Sequence, residues 1–152
     1  MWRFCAVLVG DQSADDVSQE TFCRVVRALP NFRGESSALT WLLAIAHHVC
    51  LDELRARSRR RRCDAAMGSG QDGAVADASS DVTVVDLIRR LDEDRRAAFV
   101  LTQLLGLSYD EAARVCGCPP GTIRSRVARA GAELVDLVNR PQPERRLGRS
   151  LP

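Results

Sequence analysis

Lysine is absent from the sequence: all 22 basic residues of the 152-residue chain are arginine. Aromatics are scarce too, with one tyrosine, two tryptophans and four phenylalanines. No run of alternating β-branched residues occurs, so strands have little support and the expected fold class is all-α. No apolar stretch has the length of a membrane span. Met1 to Gly10 is apolar but too short for one, and its pattern suits part of a packed helix. No signal-peptide pattern opens the chain, so the six cysteines are expected as free thiols of a cytoplasmic protein and not as a disulfide framework. Gly-rich phosphate loops are missing, as are a nucleophile beside a base and a carboxylate pair in apolar surroundings. Those absences argue against an enzyme, a small-molecule substrate and a cofactor.

Charge of either sign is nearly balanced, at a net +2, so no long-range field draws the chain to nucleic acid and any basic surface is local. Two places qualify. Arg55 to Arg62 holds six arginines in eight positions, and the last helical segment carries Arg124, Arg126 and Arg129. Between the two apolar-patterned ends, residues 63–80 are Gly, Ala, Ser and Asp with almost no large side chain. The expected organisation is two small domains, 1–62 and 81–140, joined by a 63–80 linker and followed by a 141–152 tail without a recognisable motif.

In the second domain, residues 81–90 and a segment from Asp92 carry helical apolar spacing, and Gly106 stops the latter. Ser108-Tyr109-Asp110-Glu111 is a capping box, with the serine oxygen accepting the Glu111 amide and the Glu111 carboxylate reaching back. A short helix should follow, in which Ala112 and Ala113 are small enough for a second helix to cross closely. Gly117 suits the tight turn, and Pro119 or Pro120 starts the next helix. Steps of 100° along it put Ile123, Val127, Ala130 and Leu134 on a core face and Thr122, Ser125, Arg126 and Arg129 on the other, with Arg124 at the margin. Hydroxyls and guanidiniums near a helix amino terminus are the groups that enter a major groove. A lone arginine-bearing helix face is ordinarily a solvated one. The capped helix, small pair and glycine turn before it make this a helix-turn-helix.

In the first domain, Val17, Phe22, Val25, Val26 and Leu29 fall on one side of a helix over about 14–29, and Asp16, Gln19, Glu20, Cys23 and Arg27 on the other. The apolar side is expected to pack. Residues 30–37 read as a loop. A helix from about Ala38 through Trp41, Leu42, Ile45, Ala46 and Val49 to Leu54 continues into the arginine run, a plausible grip on single-stranded or melting DNA. Two candidate zinc sets, His47 and His48 with Cys50 and Cys63, and Cys116 with Cys118, lack the paired spacing of usual sites, so no metal is expected.

These patterns, in this order, resemble the extracytoplasmic-function (ECF) sigma factors of bacterial RNA polymerase, members of the sigma-70 family. Residues 15–22 resemble the family's region 2.2, Phe32-Arg33-Gly34-Glu35-Ser36-Ser37 through Trp41-Leu42 its regions 2.3 and 2.4, and Gly106 through Arg129 its region 4. Leu104 to Tyr109 and Cys116 to Val127 are similar to the actinobacterial C-type branch. The resemblance implies a sigma2-like and a sigma4-like domain that bind core polymerase and direct initiation at promoter DNA. It also implies that the first domain starts one helix into the family's pattern.

Carried onto this sequence, the family assigns Asp15, Asp16, Gln19, Glu20 and Phe22 to the β′ clamp helices of the polymerase. Phe32, Arg33, Ser36, Ser37, Trp41, Arg55 and Arg57 go to the −10 element, where a flipped base must regain its stacking energy in a pocket. Thr122, Ser125, Arg126 and Arg129 go to the −35 element, with Arg124 holding phosphate. The β flap and an anti-sigma factor are the further partners it allows. A stand-alone helix-turn-helix regulator is the rival reading; it leaves the patterns of the first domain unexplained.

Overall fold

The computed structural model describes residues 1–66 and 83–139; most of the expected linker and the tail lie outside the described residues. Seven α-helices and no strand occur among the described residues. Helix α1 (Trp2–Val9) is apolar almost throughout and buries Phe4 to Val9. Gly10 ends it at φ 86°, a left-handed backbone that also starts α2 (Asp11–Ala28) in a new direction.

Helix α2 packs on α1 and α3 through Ala14, Val17, Ser18 and Thr21. This corrects the expected packing face: Val17 is buried, but Phe22, Val26 and Leu29 are 57%, 69% and 57% exposed. The reason is rotation: α1 and α3 take the Ala14, Val17, Ser18 and Thr21 side of α2, and at 100° per residue Phe22, Val26 and Leu29 lie roughly 70–130° around the helix from it. A 3₁₀ turn (Leu29–Asn31) and the 32–37 loop then lead to α3 (Ala38–Ala66). Ser37 caps α3, its Oγ accepting the Thr40 amide at 3.1 Å. The helix buries Thr40, Leu43, Ala46, His47, Val49 and Cys50, then runs on through the arginines, so residues 63–66 are helical.

Helix α4 (Val84–Arg90) opens with a capping box at Thr83 and Asp86, and Asp92 caps α5 (Glu93–Phe99). The expected single helix up to Gly106 changes pitch on the way, with a π turn over Val100–Leu104 closed by the Leu105 amide on the Val100 carbonyl at 3.0 Å. Gly106 ends it at φ 72°. Helices α6 (Tyr109–Cys116) and α7 (Pro120–Asn139) complete the second domain.

The two domains are docked. Helix α6 lies along α3, and α4 and α5 reach the end of α1, so Phe4, Leu43, Ile88, Leu91, Leu101 and Ile123 belong to one continuous core. Three guanidiniums converge on the last-turn carbonyls of α1, of which Ala6 already accepts the Gly10 amide at 2.9 Å. Arg57 donates to the Val9 carbonyl at 2.6 Å, Arg96 to Leu8 at 2.7 Å, and Arg89 to Ala6 at 3.2 Å. Arg96 also holds the carbonyls of Arg89 and Leu91 at 2.7 and 2.8 Å, and Arg89 pairs with Asp11 at 2.8 Å. Thr40 and Glu111 meet across the same seam at 3.5 Å.

The seam is imperfectly satisfied. Buried His47 Nδ1, Arg89 Nε and Arg96 Nε have no hydrogen-bond partner among the described residues. Such orphans subtract from docking strength, and they suit domains that part.

Candidate nucleic-acid interface

The helix-turn-helix is built as its sequence implies. Ser108 Oγ accepts the Glu111 amide at 3.2 Å, while Glu111 Oε2 accepts the Ser108 amide at 2.9 Å and its hydroxyl at 2.8 Å. Those two donors hold the Glu111 carboxyl below the usual carboxylate range, the backbone amide first. Gly117 adopts φ 63°, ψ 36°, and the Cys118 amide returns to the Ala113 carbonyl at 3.1 Å. Ile123 and Ala130 are fully buried, with Val127 and Leu134 packed beside them. This fixes the rotation of α7 and turns Arg124, Ser125 and Arg129 to solvent, with Thr122 and Arg126 half-buried.

Two of the three arginines on that face are already engaged. The Arg126 guanidinium pairs with Asp94 at 2.5 Å and points its other amino group at Cys118 Sγ at 3.6 Å. Arg124 lies 5.8 Å over the ring of Tyr109, within cation–π range. The roles of Asp94 and Tyr109 were not legible beforehand: an acid in the first turn of a helix and an exposed tyrosine carry no signal of which arginine they will meet. Ser125 Oγ donates to the Thr122 carbonyl at 2.9 Å.

On the first domain, the rings of Phe32 and Trp41 sit 4.9 Å apart at 43°. With Asn31, Arg33, Glu35 and Ser36 they line an open cavity of about 370 Å³ at the start of α3. Ser37 is bound into the base of this loop, its Oγ 2.8 Å from Thr40 Oγ1. Arg33 and Arg55 are exposed. Arg57 differs: Glu53 at 2.8 Å and the Val9 carbonyl hold it to its own domain. The structure thus brings Phe32, Arg33, Ser36 and Trp41 together and leaves Arg55 and Arg57 some four turns along α3.

Asp15, Asp16, Gln19, Glu20 and Phe22 are all exposed on α2. Asp15 accepts the Trp2 indole N–H at 2.7 Å. Arg24 bridges Glu20 at 2.8 Å and Asp52 at 3.0 Å, and these partners, Glu20 first, hold its guanidinium more firmly protonated than usual. Asp16, Glu20, Asp52 and Glu53 edge one cleft between α2 and α3, of about 310 Å³. It is an acidic groove on the side of α2 away from the exposed Phe22, Val26 and Leu29. Among the described residues, no group of three or more His, Cys, Asp or Glu is placed to hold a metal, and no helix is long and apolar enough to cross a membrane.

Residues 1–60 match the sigma-70 region 2 family and residues 82–134 the sigma-70 region 4 family. The chain is 52% identical over 134 residues to a probable RNA polymerase sigma-C factor of Mycobacterium bovis, covering 86% of this chain and 72% of that one. It is 40% identical over 146 residues to the RNA polymerase sigma-H factor of Pseudomonas aeruginosa, covering 86% and 75%. Among solved structures, the sigma factor RpoE from Bartonella quintana, co-crystallised with the anti-sigma factor NepR, superposes with a TM-score of 0.76 at 26% identity over 93% of this chain and 91% of that one. CnrH in complex with the cytosolic domain of CnrY gives 0.64 at 26% identity, over 91% and 79%.

Proposed function

The chain belongs to the ECF sigma factors of the sigma-70 family, in their C-type branch, and we propose how it divides the family's work among its surfaces. It is a sigma factor that directs promoter-specific transcription. The stand-alone regulator is not favoured, because the region 2 match accounts for the whole first domain.

In this proposal the exposed acids Asp15, Asp16 and Glu20, with Gln19 and Phe22, bind the β′ clamp helices of core polymerase, and the second domain meets the β flap. The carrying observation is the cavity at the head of α3. It is open and lined by a tilted aromatic pair, an arginine and a serine. An unstacked base of the −10 element fits that chemistry, with Trp41 and Phe32 returning part of the lost stacking. Thr122, Ser125, Arg126 and Arg129 face the −35 element, and Arg124, parked on Tyr109, takes a phosphate. Arg57 serves as an internal tie and Arg55 as the backbone contact beyond the cavity.

The elements named −35 and −10 lie about 25 base pairs apart, on the order of 85 Å of duplex. Here Thr40 of the first domain and Glu111 of the helix-turn-helix are 3.5 Å apart. Docked domains cannot serve both elements, so promoter engagement separates them, with the 67–82 segment as the tether. One solved relative was captured with an anti-sigma factor, which supports a protein of that class as a further partner. The work is done in the cytoplasm, by binding and without a catalytic step of the chain's own.

Transcription tests the proposal. Core polymerase with this chain should start RNA at a −35/−10 promoter that core alone ignores. Failure to bind core would overturn it.

A further inference from the structure

The turn of the helix-turn-helix carries a pair of thiols that the reading above does not use. Cys116 closes α6, Gly117 is left-handed, and Cys118 follows in the turn before Pro119. A residue in a helical backbone state, of either hand, sets its two neighbours about 5.4 Å apart from Cα to Cα, inside the roughly 4.4–6.8 Å window of disulfides. Cys118 lines a surface cleft of about 440 Å³ between Arg114 and Pro120, whereas Cys5 and Cys50 are fully buried. Arg126 aims a guanidinium N–H at Cys118 Sγ from 3.6 Å, so one thiol of the pair is in contact with a cation and with solvent.

We propose that Cys116 and Cys118 form a peroxide-sensitive thiol pair whose oxidation to a disulfide weakens reading of the −35 element through Arg126. The Cys118 thiolate attacks a hydroperoxide: an S–O bond forms, the O–O bond breaks, and hydroxide leaves. Cys116 sulfur then attacks the Cys118 sulfenic sulfur, giving up its proton as the S–O bond breaks, so that water leaves and the S–S bond closes. The pair loses two electrons and hydrogen peroxide becomes two waters. Burial raises the Cys116 thiol to about 12, so Cys118 and not Cys116 takes the first step.

Closing the bridge swings Cys118 sulfur toward Cys116 and removes one of the two groups that position Arg126, leaving it drawn to Asp94 alone. A small ring across a left-handed turn is strained, and strained disulfides are the readily reduced, regulatory kind. The chemistry of the pair stands independently of function; the −35 consequence rests on the role proposed above for Arg126.

The test begins with the full chain alone, treated with hydrogen peroxide, quenched with catalase, alkylated and cut with trypsin. Cleavage after Arg114 and Arg124 releases both thiols on one peptide, Val115 to Arg124. Oxidation should leave that peptide about 2 Da lighter and without alkyl groups, reversibly with dithiothreitol. In C116S the Cys118 sulfenic acid should persist and be trapped by dimedone. The oxidised chain, then added to core polymerase, should lose roughly tenfold in transcript from a −35-dependent promoter and nothing from one whose −35 is scrambled. A doubly alkylated 115–124 peptide, under peroxide that has already oxidised exposed Cys23 or Cys63, would overturn the thiol pair. A bridge that forms without changing −35-dependent transcript would overturn its link to Arg126.

Discussion

Removing Arg89 should undock the domains without unfolding either one. Its guanidinium makes two contacts across the seam, to the Ala6 carbonyl at 3.2 Å and to Asp11 at 2.8 Å. The first is a long charge-assisted hydrogen bond worth about 1 kcal/mol net. The second is discounted because the Asp11 side chain is 64% exposed, which leaves up to about 1 kcal/mol. Against these stands the buried Nε without a partner, whose removal returns some desolvation energy. The sum is about 1–2 kcal/mol, so R89A should shift the docking equilibrium roughly 5- to 30-fold toward separated domains. Small-angle scattering should register it as a larger radius of gyration, and far-UV circular dichroism should keep its helical signal. D11N removes the ion pair alone and should give about half the effect. An R89A scattering profile that superposes on the wild type at every salt concentration would refute the reasoning, since Arg89 would then contribute nothing to the seam.

Two further outcomes follow from the same contacts. R126A should weaken promoter use by about 1–3 kcal/mol, or 5- to 150-fold, on a promoter with an intact −35 element; an equal loss with that element scrambled would count against a base contact. Burial first, then neighbouring His48, holds His47 down at about 4 from an ordinary value near 6.5. From the elements packed against it, Asp94 and the Val115 backbone favour its charged form and Arg126 opposes it. The docked state therefore binds fewer protons than the separated one: docking is at full strength above pH 6.5 and is lost as pH falls through that value toward 4. At pH 5.5 it should be roughly tenfold weaker, and H47Q should flatten the dependence; scattering that does not change between pH 7.5 and 5.5 would contradict this.

What the sequence disclosed about the fold was local. The Ser108 capping box, the stops at Gly106 and Gly117, the Pro120 start and the Ile123, Val127, Ala130, Leu134 face each depend on residues within about a turn of one another, and each is in place. Pairing over distance was not legible. Periodicity assigns Phe22, Val26 and Leu29 to an apolar stripe, but which side of a broad stripe is covered depends on where the neighbouring helices lie, and α1 and α3 take the side of Ala14, Val17, Ser18 and Thr21. The arginine run looked uniform, yet Arg57 is spent on the end of α1 because the fold brings residues 9 and 57 together. Docking itself has no sequence signature: Arg89 and Arg96 look like surface residues until a helix end appears opposite them. The aromatic cavity was the exception, because Phe32 and Trp41 flank one short loop.

The pairing of arginines also bears on how a sigma factor with a net charge of only +2 avoids indiscriminate DNA. Non-specific affinity grows with the number of phosphates neutralised, so free guanidiniums on the recognition helix would bind any duplex. Asp94 stands against Arg126, whose side chain is 22% exposed beside a 58% exposed carboxylate. An ion pair this open is weak, so in the role proposed for Arg126 a bidentate guanine edge displaces it. A passing phosphate gains less, because it must also approach the Asp94 carboxylate. The acid thus works as a repulsive element that lowers affinity for the wrong site more than for the right one. With Arg124 on Tyr109 and Arg57 on Val9, much of the chain's cationic surface is similarly held back. On the proposed assignment of the surfaces, promoter selection comes from two weak grips made simultaneous by the polymerase, and not from either domain alone.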